Sequence, residues 1–211
     1  QPILSPSWSP EGERLSYVSF ENGRAEIFTQ AMRSGKRTSV ASFKGINSAP
    51  SWSPDGKKLA MTLSKGGNTE IYVMDIATKA LTRVTHSSQA IDTEAVWMPN
   101  SKDLVFTSDR GGRPQIYKVP ASGGRAERLT FEGLYNASPD ISPDGRYLTM
   151  VHGQNGKFYI AVQDLKSGAV QVLSEAGRDE SPSFAPNGRL ILYATEQNGK
   201  GILAAVSVDG L

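Results

Sequence analysis

Apolar residues along this chain recur two positions apart in short runs, and polar or glycine-rich stretches separate the runs. Leu59-Ala-Met61 and Ile71-Tyr-Val-Met74 are representative. Alternation with a period of two lines one face of a β-strand. No helical period of 3.6 survives for two turns anywhere, so the pattern predicts an all-β chain. The connections have turn chemistry of their own. In Ser53-Pro54-Asp55-Gly56 the proline presets φ at the second turn position, aspartate can bond its own backbone, and glycine accepts a left-handed exit.

That turn occurs five times. Pro10, Pro54, Pro99, Pro143 and Pro186 are spaced 44, 45, 44 and 43 residues apart, each with an apolar or aromatic residue two positions before it. Five residues after each proline stand Leu15, Leu59, Leu104, Leu148 and Ile191, and seventeen after stand Ile27, Ile71, Ile116, Ile160 and Leu203. Thirty after, in the first four repeats, come Val40, Val84, Leu129 and Leu173. Each repeat therefore reads as a four-stranded antiparallel meander of roughly 44 residues, the size of one β-propeller blade. The expected fold is a single β-propeller domain with repeats at approximately residues 6–49, 50–94, 95–138, 139–181 and 182–211. The fifth repeat stops before its fourth strand, and Gln1 to Ser7 are few and rich in Pro and Ser. A closed six-bladed ring would need about 260 residues at this period, so the chain is expected to form part of such a ring.

Composition narrows the function classes. With 23 basic and 21 acidic residues intermixed, the net charge of +2 offers no electrostatic footprint for nucleic acid or an anionic membrane. No run of 18 apolar residues occurs, so membrane insertion by a helix is not expected. No signal peptide is visible. Cysteine is absent, which excludes disulfides, thiolate metal sites and Cys nucleophiles.

Catalytic chemistry finds no constellation. His86 follows Thr85 in a connecting stretch and His152 ends a second strand, and neither has Asp or Ser at motif spacing; both read as surface or edge histidines. There is no Gly-x-Ser-x-Gly elbow, and the glycine pairs sit between strands, where hairpins account for them. The carboxylates Asp92 and Glu94, then Asp179 and Glu180, suit acid–base work or a cation on paper, but are expected to cap backbone amides at the entry to the next blade. Trp8, Trp52 and Trp97 are repeat-equivalent and expected in the core. Asp109-Arg110 and Arg113 read as a solvated hairpin tip. No catalytic residue, metal or cofactor is expected.

The longest connections join the fourth strand of one repeat to the first of the next: Ser42 to Ala49, His86 to Glu94, Phe131 to Ser138 and Glu175 to Ser181. In a propeller these surface at the mouth of the channel, and long loops on rigid scaffolds commonly carry binding. Apolar Phe43, Ile46 and Ile91 and aromatic Tyr135 stand among polar Asn47, Asn136, Asp92, Glu94, Asp179 and Glu180, a mixture that suits a protein partner.

The sequence also resembles the propeller domain of the TolB family of the bacterial Tol–Pal system. The residues that carry this are Tyr17-Val-Ser-Phe-Glu-Asn-Gly23, Glu70-Ile-Tyr-Val-Met-Asp75, Phe106-Thr-Ser-Asp-Arg-Gly-Gly112, Thr130-Phe-Glu-Gly133 with Tyr135-Asn136, and Asp179-Glu-Ser-Pro-Ser-Phe-Ala-Pro-Asn-Gly188. The resemblance implies a six-bladed propeller, periplasmic and non-enzymatic, that binds the lipoprotein Pal, preceded by an α/β domain that engages TolA. The α/β domain is not in this chain, so TolA contact is not expected of it. By the same resemblance the partner-binding residues are Ile46, Asn47, Ala49, Thr93 and Glu94, with Asp92, Tyr135, Asn136, Asp179 and Glu180 in that loop and the next two. Position 46 is isoleucine where some relatives have histidine, so contact there would be apolar. Two other readings are a gating propeller of a prolyl-oligopeptidase-like serine peptidase, and a propeller holding a sugar or peptide in its channel.

Overall fold

The computed structural model describes residues 3–210; Gln1 and Pro2, ahead of the first expected repeat, and Leu211, at the end of the last, lie outside the described residues. Among the described residues there are strands and turns and no helix. The strands β1 (Ile3–Trp8), β2 (Arg14–Ser19), β3 (Glu26–Ala31) and β4 (Arg37–Ala41) form one sheet in chain order. A second contains β5 (Asn47–Trp52), β6 (Lys58–Leu63), β7 (Glu70–Asp75) and β8 (Leu81–Arg83). A third contains β9 (Asp92–Trp97), β10 (Asp103–Ser108), β11 (Gln115–Pro120) and β12 (Glu127–Arg128). The fourth is built of β13 (Tyr135–Ile141), β14 (Tyr147–Gln154), β15 (Lys157–Asp164) and β16 (Val170–Val172). The fifth has only three strands, β17 (Glu180–Phe184), β18 (Leu190–Gln197) and β19 (Lys200–Ser207). Among the described residues these are five propeller blades, not six, and the last has three strands.

The chain divides into two compact units. One runs to Leu104 and includes Lys118–Ala126; the other takes Val105–Tyr117 and everything from Glu127, so the division passes through the third blade. The core of the first is Val18, Ile27, Trp52, Leu59, Met61, Leu63, Tyr72 and Met74, drawn from the alternating positions of two blades. In the second, Val151, Ile160, Val162 and Ile191 are packed round by Tyr147, Leu173, Phe184 and Tyr193.

The repeated turn closes as its chemistry requires. Asp55 Oδ1 accepts from Ser53 Oγ at 2.6 Å and Lys57 N at 3.0 Å, and Asp144 repeats this with Ser142 Oγ at 2.5 Å and Arg146 N at 3.0 Å. The glycines that follow, Gly56 and Gly145, have φ of 68° and 74°. The outer strands are short because one backbone bond finishes each: Val84, Leu129 and Leu173 donate N–H to Ile71, Ile116 and Ile160 at 2.8 Å, one residue past the strand.

The innermost strand of every blade contains a feature absent from the sequence pattern. Ser5, Ala49, Glu94, Ser138 and Ser181, each five residues before its turn proline, adopt left-handed backbone with φ of 50°, 47°, 56°, 52° and 54°. The ladders of β1, β5, β13 and β17 with their neighbours shift register around this residue. Such bulges re-aim side chains and raise local twist.

Three expectations change. The ladders continue beyond the bulge, with Asn47 opposite Leu63 and Asn136 opposite His152, so Asn47, Ala49, Asp92, Thr93, Glu94, Tyr135, Asn136 and Glu180 are strand residues, not loop residues. Trp52 and Trp97 are buried, but Trp8 is 56% exposed: Trp97 Nε1 donates to Ser51 O on the preceding blade at 3.0 Å, and Trp8, on the first blade, has no preceding blade of this chain to cover it. His86 is exposed as expected, whereas His152 is buried on β14.

Candidate partner-binding loops

The residue seven before the turn proline is sealed from solvent in the second to fifth blades. Asn47, Asp92, Asn136 and Asp179 are all 1% exposed or less. Asn47 accepts from Phe43 N at 3.0 Å and donates to the carbonyls of Phe43, Gly45 and Ala25 at 2.7, 3.2 and 3.2 Å, so one amide ties the loop both to itself and to the residue that leads into β3. Asn136 donates to Glu132 O at 2.8 Å and Gln115 Oε1 at 2.9 Å. Asp92 enters the ladder through its N–H on Thr69 O at 3.0 Å. Asp179 accepts from Ser174 Oγ at 2.5 Å. The entry loops before Asn47, Asn136 and Asp179 thus each hang from one buried polar side chain, and all four residues are closed to solvent.

What the loops do offer is apolar. Ile46, Ile91, Phe131 and Leu134 are exposed, although large apolar side chains elsewhere in the middle blades are mostly inside. Ile46 is pinned by its N–H on Ser64 Oγ at 2.7 Å. Thr93, half-buried, lies 3.4 Å from Thr62 Oγ1, and the same hydroxyl accepts the N–H of Glu94, the bulge residue, at 3.3 Å. Ser138 N is held likewise by Thr107 Oγ1 at 3.1 Å. Ala49 is half-buried at its bulge. Tyr135 packs edge-on to Phe158, with centroids 5.1 Å apart, and Glu180 is exposed.

Sequence reasoning missed a set of polar residues beneath these loops. Glu70 is fully buried, accepts from Arg83 Nη2 at 2.8 Å and Ser87 N at 2.6 Å, and is bonded by Thr85 Oγ1. Thr130 Oγ1 donates to Gln115 Oε1 at 2.7 Å in the same way, and Ser42 Oγ, one residue further along its repeat, to Glu26 Oε1 at 3.0 Å. The hydrogen bond from Arg24 holds the Glu26 carboxyl below its usual range, against burial. Aligning the repeats on their prolines puts Glu26, Glu70 and Gln115 in register, which was the signal available.

Titratable groups here are structural. Asn136 spends its NH2 on Glu132 and Gln115, so its Oδ1 must accept from His152 Nδ1, 2.8 Å away, which puts a proton on Nδ1. Burial lowers the His152 pKa, opposed by the charge of Glu132. Asp140, on β13, is pushed up by burial although it accepts from Phe184 N at 2.7 Å and Ile141 N at 2.9 Å. No group of three or more His, Asp or Glu residues is placed to hold a metal among the described residues.

The family model of the TolB β-propeller domain matches residues 1–211. The chain belongs to that family. The Tol-Pal system protein TolB of Xanthomonas campestris pv. campestris is 52% identical over 211 residues, covering 99% of this chain and 48% of the relative. The crystal structure of TolB from Acinetobacter baumannii superposes with a TM-score of 0.92 at 47% identity, over 99% of this chain and 52% of that one. This TolB-family chain therefore spans about half the length of the relatives it matches. A puromycin-hydrolyzing peptidase of Mycobacterium tuberculosis, 18% identical with a TM-score of 0.75 over 98% of this chain and 36% of its own, shares the fold alone.

Proposed function

We propose that this chain is part of a periplasmic, non-enzymatic scaffold of the Tol–Pal system. It binds Pal through the residues that enter the first strand of each blade and so supports outer-membrane integrity and cell division. The observation that carries this reading is identity near 50% along almost the whole chain to proteins named Tol-Pal system protein TolB. Two further features support it: five blades of the size a six-bladed ring would use, and exposed apolar residues at the blade entries. Ile46 and Ile91, with Thr93 and Glu94, form the proposed contact on the first unit; on the second it is Tyr135 and Glu180. Asn47, Asp92, Asn136 and Asp179 act by holding the strand entries in place, and Ala49 by setting the bulge. TolA contact is assigned to the α/β domain of the longer protein and not to these residues.

The test is titration of purified Pal, by calorimetry, into this chain and its Thr93→Arg variant. Placing an unpaired charge in a half-buried contact should cost about 2 kcal/mol or more, a loss of roughly 30-fold in affinity. Unchanged affinity in the variant would remove the strand-entry assignment. Absence of Pal binding by a full-length relative would remove the scaffold reading itself.

A further inference from the structure

The second and third blades contain the same arginine setting, and one member of it differs. Arg83 and Arg128 each stand 29 residues after their turn proline. Arg83 Nε donates to Thr85 O at 3.0 Å and Arg128 Nε to Thr130 O at 2.5 Å. Each guanidinium lies beside a tyrosine hydroxyl and a glycine with little room for a side chain. A Cβ on Gly66 would meet Arg83 Nη1 at 3.1 Å and Tyr72 Oη at 3.3 Å; on Gly111 it would meet Tyr117 Oη at 3.0 Å and Arg128 Nη1 at 3.8 Å. The difference is the anion. Arg83 Nη2 bonds Glu70 Oε1 at 2.8 Å, whereas the equivalent residue of β11 is Gln115, whose neutral Oε1 is taken by Thr130 and Asn136. Among the described residues no carboxylate pairs with Arg128 or with Arg113.

A cavity of about 280 Å³ opens at this place. Arg113, Arg128, Gln115 and three glycines are in its wall, and no carboxylate is. We propose that it is a carboxylate-binding site, in which an external carboxylate in the cavity supplies Arg128 with the negative charge that Glu70 supplies to Arg83, with Arg113 as the second cation. Guanidinium pairs with carboxylates through parallel charge-assisted hydrogen bonds, and the glycines let a ligand approach the backbone closely. The ligand is either a small free carboxylate or an acidic side chain of a peptide. Gly133 and Leu134, in the wall, belong to one of the entry loops, but the site needs no protein partner, so it can fail while Pal binding stands, and the reverse.

The experiment follows the arginine Nε–H resonances of the 15N-labelled chain at constant ionic strength. Sodium succinate, an acetylated and amidated tetrapeptide with one glutamate, its glutamine counterpart, and sodium phosphate are each titrated against a chloride control. Saturable shifts of Arg113 and Arg128 with succinate or the glutamate peptide are expected, and which of the two binds tighter identifies the source. Gln115→Glu rebuilds the internal pair of the second blade and should weaken the tighter ligand by about tenfold or more, as should Arg128→Gln. Gln115→Glu keeps the acceptor that Thr130 and Asn136 need and gives up only the 3.4 Å bond from Nε2 to Gly133 O, so it tests the site even if Arg128→Gln does not fold. Shifts no larger than with chloride, equal binding of the glutamine peptide or phosphate, or undiminished binding by Gln115→Glu would overturn the proposal.

Discussion

At the scale of single residues, the buried amide of Asn47 shows how a polar side chain substitutes for regular structure. Its four hydrogen bonds satisfy backbone groups that no strand ladder reaches. Asn47→Ala would leave these partly buried groups without their partner and should destabilise the chain by about 1–3 kcal/mol, read as a lower urea midpoint. His152 makes the stability depend on pH. Its folded pKa lies below the 6.5 of the free side chain, so as pH falls through 6.5 the unfolded chain takes up a proton that the folded chain resists, and stability is lost. Asp140, raised from 3.8, works in the opposite sense, losing stability as pH rises. The contribution of His152 is therefore read as a difference: between pH 7.5 and 5.5 the wild type should lose more stability than His152→Gln, and equal losses would refute it. The sequence flagged both histidines as non-catalytic, but the burial of His152 depended on Asn136, sixteen residues earlier, and on a loop that no local pattern places.

At the scale of the element, the blade's turn was legible because proline, aspartate and glycine each act within four residues. The bulge was not. Its residues are Ser, Ala, Glu, Ser and Ser, none of them a residue that left-handed backbone selects, and the conformation is imposed from outside by bonds such as Thr62 Oγ1 to Glu94 N and Thr107 Oγ1 to Ser138 N. A β-branched side chain is poorly tolerated there. Ala49→Val, at φ of 47°, should cost about 1–3 kcal/mol, visible as a lowered thermal midpoint. A change within error would show that this backbone yields easily. The bulge is also why the strands begin earlier than the alternation suggested: the extra residue breaks the period of two, and the ladder beyond it looks like loop.

For the whole molecule, the informative contrast is between equivalent positions of different blades. Ile71, Ile116 and Ile160 are fully buried, while Leu203, in the fifth blade, is 80% exposed, and Leu190 and Leu192, on the neighbouring strand and the same face of the sheet, are exposed as well. Apolar surface left open on one sheet face favours association. The chain is expected to self-associate with rising concentration in sedimentation velocity, and Leu203→Lys combined with Leu192→Lys should reduce this while leaving the unfolding midpoint nearly unchanged. A concentration-independent monomer would count against it. The same substitution at Ile160 would place an unpaired charge in the core and should prevent folding.

The amino-acid sequence by itself determined the repeat, its strand faces, its turns and the family, because each of these depends on residues close together or on recurrence at a fixed period. Tertiary structure alone decided which polar residues disappear inside, where the inner strands bend, and that Arg113 and Arg128 meet in the wall of one cavity. Those outcomes depend on groups tens of residues apart meeting in a desolvated space, where one unmet hydrogen bond or charge outweighs any local preference.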